Sequence, residues 1–312
     1  MTTLSVAQRR FIAHCQYSKS LSSNTVRAYG QDLADFCEFI GPGKQITSIS
    51  AGKVEAYIQD VLGRRQLAAA TAKRRLGCLK VFFAWSESSK YSACNPLDKF
   101  SLSIRLPRRL PRTITREELR QIVRASTPAS HVIHSGDVRV STQIVSHLAI
   151  LLMASTGIRV AELSAISLAD IHAEEGWIRI HGKGDRERTV FITNVGLQRK
   201  LHAYAKLRSQ TASSTDPMFV TANGARLLPA AFRLRLRNIV AAAGIGRRIT
   251  PHMLRHTAAT LLIEEGVDIR FVQRLLGHQS ISTTEIYTHV TDNSLRTALT
   301  RADLIGRLTF RG

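Results

Sequence analysis

The sequence predicts a mainly α-helical protein with one small antiparallel β-sheet, divided into two domains. Three observations carry that prediction. Apolar residues recur at three- and four-residue steps through most of the 312 residues. Only two short β-type runs occur, and they flank a single glycine-containing turn. A chain of this length exceeds the usual size of one domain, and a proline-containing basic stretch lies about a third of the way along it.

The first hundred residues read as all-helical. Ser23-Asn24-Thr25 is a good N-cap cluster, and Val26, Tyr29, Leu33, Phe36 and Ile40 follow at helical spacing. Gly41-Pro42-Gly43 stops that helix. A second helix is predicted from Ser50 through Ile58 and Leu62 to Gly63. A third starts near Ala68 and buries Leu76, Leu79, Phe82, Phe83 and Trp85, with Asn95-Pro96 closing the segment. On this third helix Lys73, Arg74 and Arg75 precede the apolar stripe and Lys80 interrupts it. A charged helix face is commonly just solvated. Here the domain has few acidic residues to pair with these cations, which favours a face that meets nucleic-acid phosphates.

Residues 104–113 hold two prolines among arginines, including Arg108 and Arg109, and read as an extended basic linker that drapes along a phosphate backbone. The expected organisation is therefore a helical DNA-binding domain over 1–103, the linker over 104–113, and a second domain over 114–312.

The second domain opens with the capping box Thr115-Arg116-Glu117-Glu118. Residues 125–142 read as a surface loop from their Ser, His, Gly and Pro content. The nearly continuous apolar run 144–155 suits a buried core helix and is too short for a membrane span. Runs 177–181 and 189–192 flank Gly182-Lys183-Gly184-Asp185 and predict a hairpin. Helices are expected over 230–243, with Arg233, Arg235 and Arg237 spread around it, over 251–265, ended by Gly266, and over 269–276, capped by Gly277. Ser282-Thr283-Thr284-Glu285 is a second capping box, just before Tyr287.

Charge narrows the partners. The chain has 44 Lys+Arg against 23 Asp+Glu, a net of +21. Residues 1–106 carry 15 basic and 7 acidic residues, so both parts are basic and two surfaces can grip one duplex. No long basic amphipathic helix points to a lipid surface. Cys15, Cys37, Cys78 and Cys94 form no C-x-x-C pair and read as small buried hydrophobes in a reducing compartment. No signal pattern and no long apolar run are present, so a cytoplasmic protein without a membrane segment is expected.

Breaking a phosphodiester requires cations on the non-bridging oxygens, an in-line nucleophile and a proton for the leaving oxygen. Arginine suits the clamp because its planar fork bonds two oxygens and stays charged. Arg159 follows Gly157 at a helix start, with Glu162 three residues on. That spacing is commonplace for a surface ion pair; the alternative is a carboxylate that fixes the guanidinium. His252 and Arg255 lie three apart on one helix, after Pro251 at its first turn. His278 follows Gly277, and Tyr287 follows the second capping box. Lys183 sits in the hairpin turn. Each signal alone also suits an ordinary solvated or core residue; together they supply every group a metal-free attack needs.

In order, Thr156-Gly157-Ile158-Arg159-Val160-Ala161-Glu162-Leu163, Gly182-Lys183-Gly184, Pro251-His252-Met253-Leu254-Arg255-His256-Thr257, Leu275-Leu276-Gly277-His278 and Tyr287-Thr288-His289 resemble the motifs of the tyrosine recombinases, the phage integrase family. The segment Leu21-Ser22-Ser23-Asn24-Thr25 through Tyr29 and Asp32-Leu33 is similar to the SAM-like helical core-binding domain of Xer-type members. The resemblance implies a core-binding domain followed by a catalytic domain. It implies that Tyr287 attacks the scissile phosphate, leaving a 3′-phosphotyrosyl link and a free 5′-hydroxyl. Arg159 and Arg255 would hold the non-bridging oxygens, Lys183 would protonate the leaving oxygen, His252 would assist proton transfer and His278 would bond the phosphate. No metal, ATP or other cofactor is implied, because the covalent link stores the bond energy. The partners implied are double-stranded DNA and a homo-tetramer assembled on it, with or without a paired recombinase. A C-terminal segment reaches a neighbouring subunit in this family, and 295–308 has the apolar positions for such a helix. The long 125–142 loop departs from the compact Xer pattern and leaves a mobile-element role open. Two alternatives stay open: a type IB topoisomerase-like relaxase, and a non-catalytic DNA-binding protein on the same fold.

Overall fold

The computed structural model describes residues 2–98, 104–106, 113–128, 141–182, 187–210, 216–277 and 292–309, excluding the side chains of 292–294, 308 and 309. The chain divides into two compact units, Met1–Arg109 and Leu110–Gly312.

The N-terminal unit packs α1 (Leu4–Ala13), α2 (Ser23–Ile40), α3 (Ala51–Gln59) and α4 (Ala69–Ser88) around an aromatic core. Phe11, Phe36, Tyr57, Phe82 and Phe83 are all fully buried, and Phe36 meets Tyr57 edge-on at 5.1 Å. The cap of α2 is Ser22, one residue earlier than the predicted cluster, and its Oγ accepts from the Thr25 backbone N–H. Ser50 caps α3 in the same way. Helix α1 escapes the sequence reading because its stripe is only Leu4, Ala7 and Phe11 and no side chain caps it.

Two expectations for this unit need correcting. Arg74 and Arg75 do have acid partners: Arg74 bonds the buried Asp32, and Arg75 bonds Asp35 and the Tyr57 hydroxyl. Those acids lie on α2, some forty residues earlier in sequence, so only the fold brings them over. Lys73 and Lys80 are exposed and form no ion pair among the described residues. Cys94 is exposed, whereas Cys15, Cys37 and Cys78 are buried, and all four are free thiols.

In the C-terminal unit the capping box at Thr115 opens α5 (Arg116–Ser126), with Thr115 and Glu118 each bonding the other's backbone N–H. Helix α6 (Thr142–Thr156) buries a continuous run from Val145 to Ala154 and stands at the centre of the core. It ends at Gly157, whose φ of 65° is the left-handed cap. Short helix α7 (Val160–Ala165) follows, then a three-stranded antiparallel sheet in the order β1 (Ile171–His172), β2 (Trp177–His181), β3 (Glu187–Phe191). The hairpin of β2 and β3 was predicted; β1, at two residues, is too short for its alternation to be read.

Helices α8 (Val195–Ser209), α9 (Pro229–Ala242), α10 (Pro251–Glu264) and α11 (Ile269–Leu276) complete the layer around α6. Thr250 caps α10, and Gly277 ends α11 with φ 63°. The apolar segment 295–308, expected as one helix, is two: α12 (Asp292–Ala302) and α13 (Leu304–Thr309). Asp303 breaks it, with φ 32° and a carboxylate that accepts from the Gly306 N–H and the Asn194 amide. Leu295, Leu299, Ala302, Leu304 and Ile305 are buried in this chain's own core, and α13 packs on α5 and α6. No described helix is long and apolar enough to cross a membrane.

Candidate active site

The site forms where the end of α6, the start of α7, strand β3 and the end of α11 meet. Gly157 makes this junction possible. A Cβ there would lie 2.5 Å from Leu276 Cδ2, and the residue sits at a φ of 65°, so glycine suits the close approach of the two helix ends. Two residues on, Arg159 occupies the N-cap position of α7 with its side chain 40% exposed.

Glu162, one turn into α7, is buried. Its Oε2 accepts from the Arg159 backbone N–H at 2.7 Å, and its Oε1 accepts from Arg159 Nη1 at 2.8 Å. Both oxygens also accept from Arg188, each at 2.9 Å. Burial pushes the Glu162 carboxyl up, but the hydrogen bonds from Arg188 and Arg159 outweigh it and hold it below the usual carboxylate range. Glu162 is therefore a buried carboxylate that orients Arg159, not one half of a surface ion pair.

Arg255 projects from α10 into the same junction and is buried. Its Nη1 donates to the Gly157 carbonyl and its Nη2 to the Leu276 carbonyl, both at 2.7 Å. Burial, then the neighbouring Arg159 charge, lowers its pKa to about 10, so it remains charged at neutral pH. The last carbonyls of a helix lack intrahelical partners and form its negative end. Here three guanidinium groups take them in turn. Arg188 Nε donates to Leu275 at 3.0 Å, Arg255 to Leu276, and Arg159 Nη2 reaches Gly277 at 3.5 Å. Among the described residues, three guanidinium groups against the one Glu162 carboxylate leave an excess of positive charge, which suits an anion such as a phosphodiester.

His252 is exposed on the first turn of α10, while Arg255 one turn on points inward. Lys183, His278, Tyr287, Arg108 and Arg109 lie outside the described residues, as do the second capping box and most of the 125–142 loop. Gly182 and Gly277, the residues just before Lys183 and His278, are described. His181, two residues before Lys183, is held by Asp170 at 2.9 Å and by Glu187 at 3.0 Å across the hairpin. Its bond to Asp170 raises its pKa. Gly277, which precedes His278, is the residue Arg159 reaches.

Sequence reading missed Arg188, although a signal was present. Arg188 pairs across the sheet with Ile180, and Val190 with Ile178, so 188 and 190 share the face that Ile178 and Ile180 bury. An arginine at an inward position of an apolar strand demands a buried acid, and Glu162 is that acid.

The model of the phage integrase family matches residues 112–294, and that of the phage integrase N-terminal SAM-like domain matches residues 9–90. The chain belongs to the phage integrase family. Among relatives, the tyrosine recombinase XerC of Thermodesulfovibrio yellowstonii is 33% identical, over 93% of each chain. The tyrosine recombinase XerD of Halalkalibacterium halodurans is 30% identical, over 95% of this chain and 97% of that one. In fold, a lambda integrase tetramer bound to a Holliday junction superposes with a TM-score of 0.68 at 18% identity, covering 93% of this chain and 81% of that one. The integrase-family resemblance read from the motifs is thus the family found, and the mainly helical fold with its small sheet is the expected one. As an integrase-family enzyme the protein is a tyrosine recombinase.

Proposed function

We propose that the protein binds a specific double-stranded DNA site and exchanges strands there through a 3′-phosphotyrosyl intermediate. The observation that carries this reading is the convergence of Arg159 and Arg255, 96 positions apart in the chain, on the end of α11. In this reading Arg159 and Arg255 clamp the non-bridging oxygens of the scissile phosphate. Tyr287 attacks in line, Lys183 protonates the 5′-oxygen, His252 assists proton transfer and His278 bonds the phosphate. Glu162 keeps Arg159 in its rotamer. Lys73, Lys80, Arg108 and Arg109 neutralise backbone phosphates around the core site, with Arg74 contributing its half-exposed guanidinium. The working unit is a homo-tetramer on DNA, alone or with a paired recombinase. It acts in the cytoplasm, where free thiols persist.

The test is to select bound DNA fragments from a random pool and incubate them as suicide duplexes, in which a nick traps the cleaved strand. The wild-type protein forms a covalent adduct at one phosphate of the selected site, and Tyr287→Phe binds that site without forming it. Adducts that persist in Tyr287→Phe reject the nucleophile. Site-independent relaxation of supercoiled plasmid supports a relaxase, and specific binding with no adduct supports a non-catalytic DNA-binding protein.

A further inference from the structure

Arg188 has no role in the chemistry proposed above, yet it makes three bonds at the site. Its two Nη atoms grip both oxygens of Glu162, and its Nε holds the Leu275 carbonyl. It is mostly buried, with 16% of its side chain exposed. Of its five N–H donors three are committed inward, so it is poorly placed to serve as a phosphate ligand itself.

We propose that Arg188 is a positioning residue for strand cleavage, acting through Glu162 and the end of α11 to fix where Arg159 sits against the scissile phosphate. The inference rests on the recombinase reading. Without Arg188, Glu162 would face only Arg159, a long side chain substantially open to water, and such a pair is weak and mobile. The Arg188 fork grips both oxygens and locks the carboxylate plane. That plane sets the direction of the Arg159 Nη1 bond and of its backbone N–H. The third donor ties the same guanidinium to Leu275, two residues before the Gly277 carbonyl that Arg159 reaches. One planar group thereby joins β3, α7 and α11. Gly277 lies directly against it: a Cβ there would come 3.3 Å from Arg188 Nη1. Lysine in its place keeps the charge but cannot span two oxygens and a carbonyl in one plane.

The experiment measures single-turnover adduct formation and duplex affinity on the selected suicide substrate. Wild type, Arg188→Lys, Arg159→Ala and the double variant are compared, each with its melting temperature. Arg188→Lys is expected to bind the duplex as wild type does and to cleave about 100-fold more slowly, as small misplacements of a clamp do. The double variant is expected to be no slower than Arg159→Ala, because both changes act through one guanidinium. On a duplex with a neutral methylphosphonate at the scissile position, the defects of both single variants shrink together. Arg188→Lys cleaving at the wild-type rate overturns the proposal. So does a defect that multiplies with that of Arg159→Ala and persists on the neutral substrate.

A second variant separates positioning from folding. Glu162→Met with Arg188→Met replaces the buried pair by apolar groups and restores thermal stability, but it is expected to stay slow in cleavage. Recovery of cleavage along with stability assigns Arg188 a structural role only and overturns the proposal. Wild-type protein that forms no adduct overturns the recombinase reading and this inference with it. Wild-type adducts beside an unimpaired Arg188→Lys overturn this inference alone.

Discussion

The guanidinium of Arg255 and the carbonyl of Gly157, 98 residues apart in the chain, meet at 2.7 Å. Arg255 thus ties the end of α6 to α10 while its other Nη ties α10 to the end of α11. A group proposed to hold phosphate is at the same time a structural pin.

Arg159 and Arg255 should therefore respond differently to truncation. Arg159→Ala, at a half-exposed position, is expected to leave stability within about 0.5 kcal/mol of wild type while slowing adduct formation about 100- to 1,000-fold. Arg255→Ala orphans two buried carbonyls and is expected to cost about 2 kcal/mol in addition to the loss of activity. Urea unfolding of both variants, alongside the suicide-substrate assay, checks the contrast; equal stability losses would contradict it.

Glu162→Ala leaves three guanidinium groups without their counter-charge. Breaking a buried pair in this way is expected to lower stability by about 3 kcal/mol. Added sulfate should recover part of that loss, since the emptied cluster gains affinity for anions and binding stabilises the folded state. Thermal melts of wild type and variant with and without sulfate make the comparison, and an equal response of the two proteins counts against a cationic cluster.

Gly157→Ala places a Cβ at positive φ and against Leu276. The expected cost is about 1–3 kcal/mol, with cleavage falling further than stability because the Leu276 side chain, next to the Gly277 carbonyl that Arg159 reaches, must shift. Gly266 also has positive φ but has nothing near its Cβ position, so Gly266→Ala is the control: a loss of stability without a loss of cleavage beyond it.

In the N-terminal unit, Lys73→Ala and Lys80→Ala should each weaken duplex binding uniformly and reduce the slope of log Kd against log salt by about 1. Arg75→Ala removes a bond to Asp35 and another to Tyr57, so its main effect is expected on the melting temperature of the chain. An unchanged salt slope in both lysine variants would remove α4 from the DNA surface.

His147 supplies a pH dependence. It is buried between Ser126 and Lys200, and burial, then the Lys200 charge, lowers its pKa to about 4. Its folded pKa lies below its unfolded value, so the unfolded chain binds the extra proton between about pH 6.5 and 4. Stability from this group is complete above that window and is lost as pH falls through it, by up to about 3 kcal/mol. Denaturation at a series of pH values should show a shallower decline in His147→Asn than in wild type.

Most of the secondary structure was legible because it depends on local rules. The cap at Thr115, the stops at Gly266 and Gly277, and the α6 apolar run each follow from neighbouring residues. Helix α1 and strand β1 were not, since their patterns are too short to stand above chance. The partnering of α4's arginines with Asp32 and Asp35 was also hidden, because nothing local indicates that α2 lies alongside α4.

By its sequence alone the chain determined its family, its helical character, its basicity and the residue types available for attack on a phosphodiester, since motif order and periodicity are written along one dimension. Only tertiary structure decided that Glu162 faces two arginines, that Arg188 joins them, and that three guanidinium groups share the carbonyls ending α11. Those relations link positions up to 118 residues apart. They exist because buried charges must find partners wherever folding brings one, and residue order does not record that encounter.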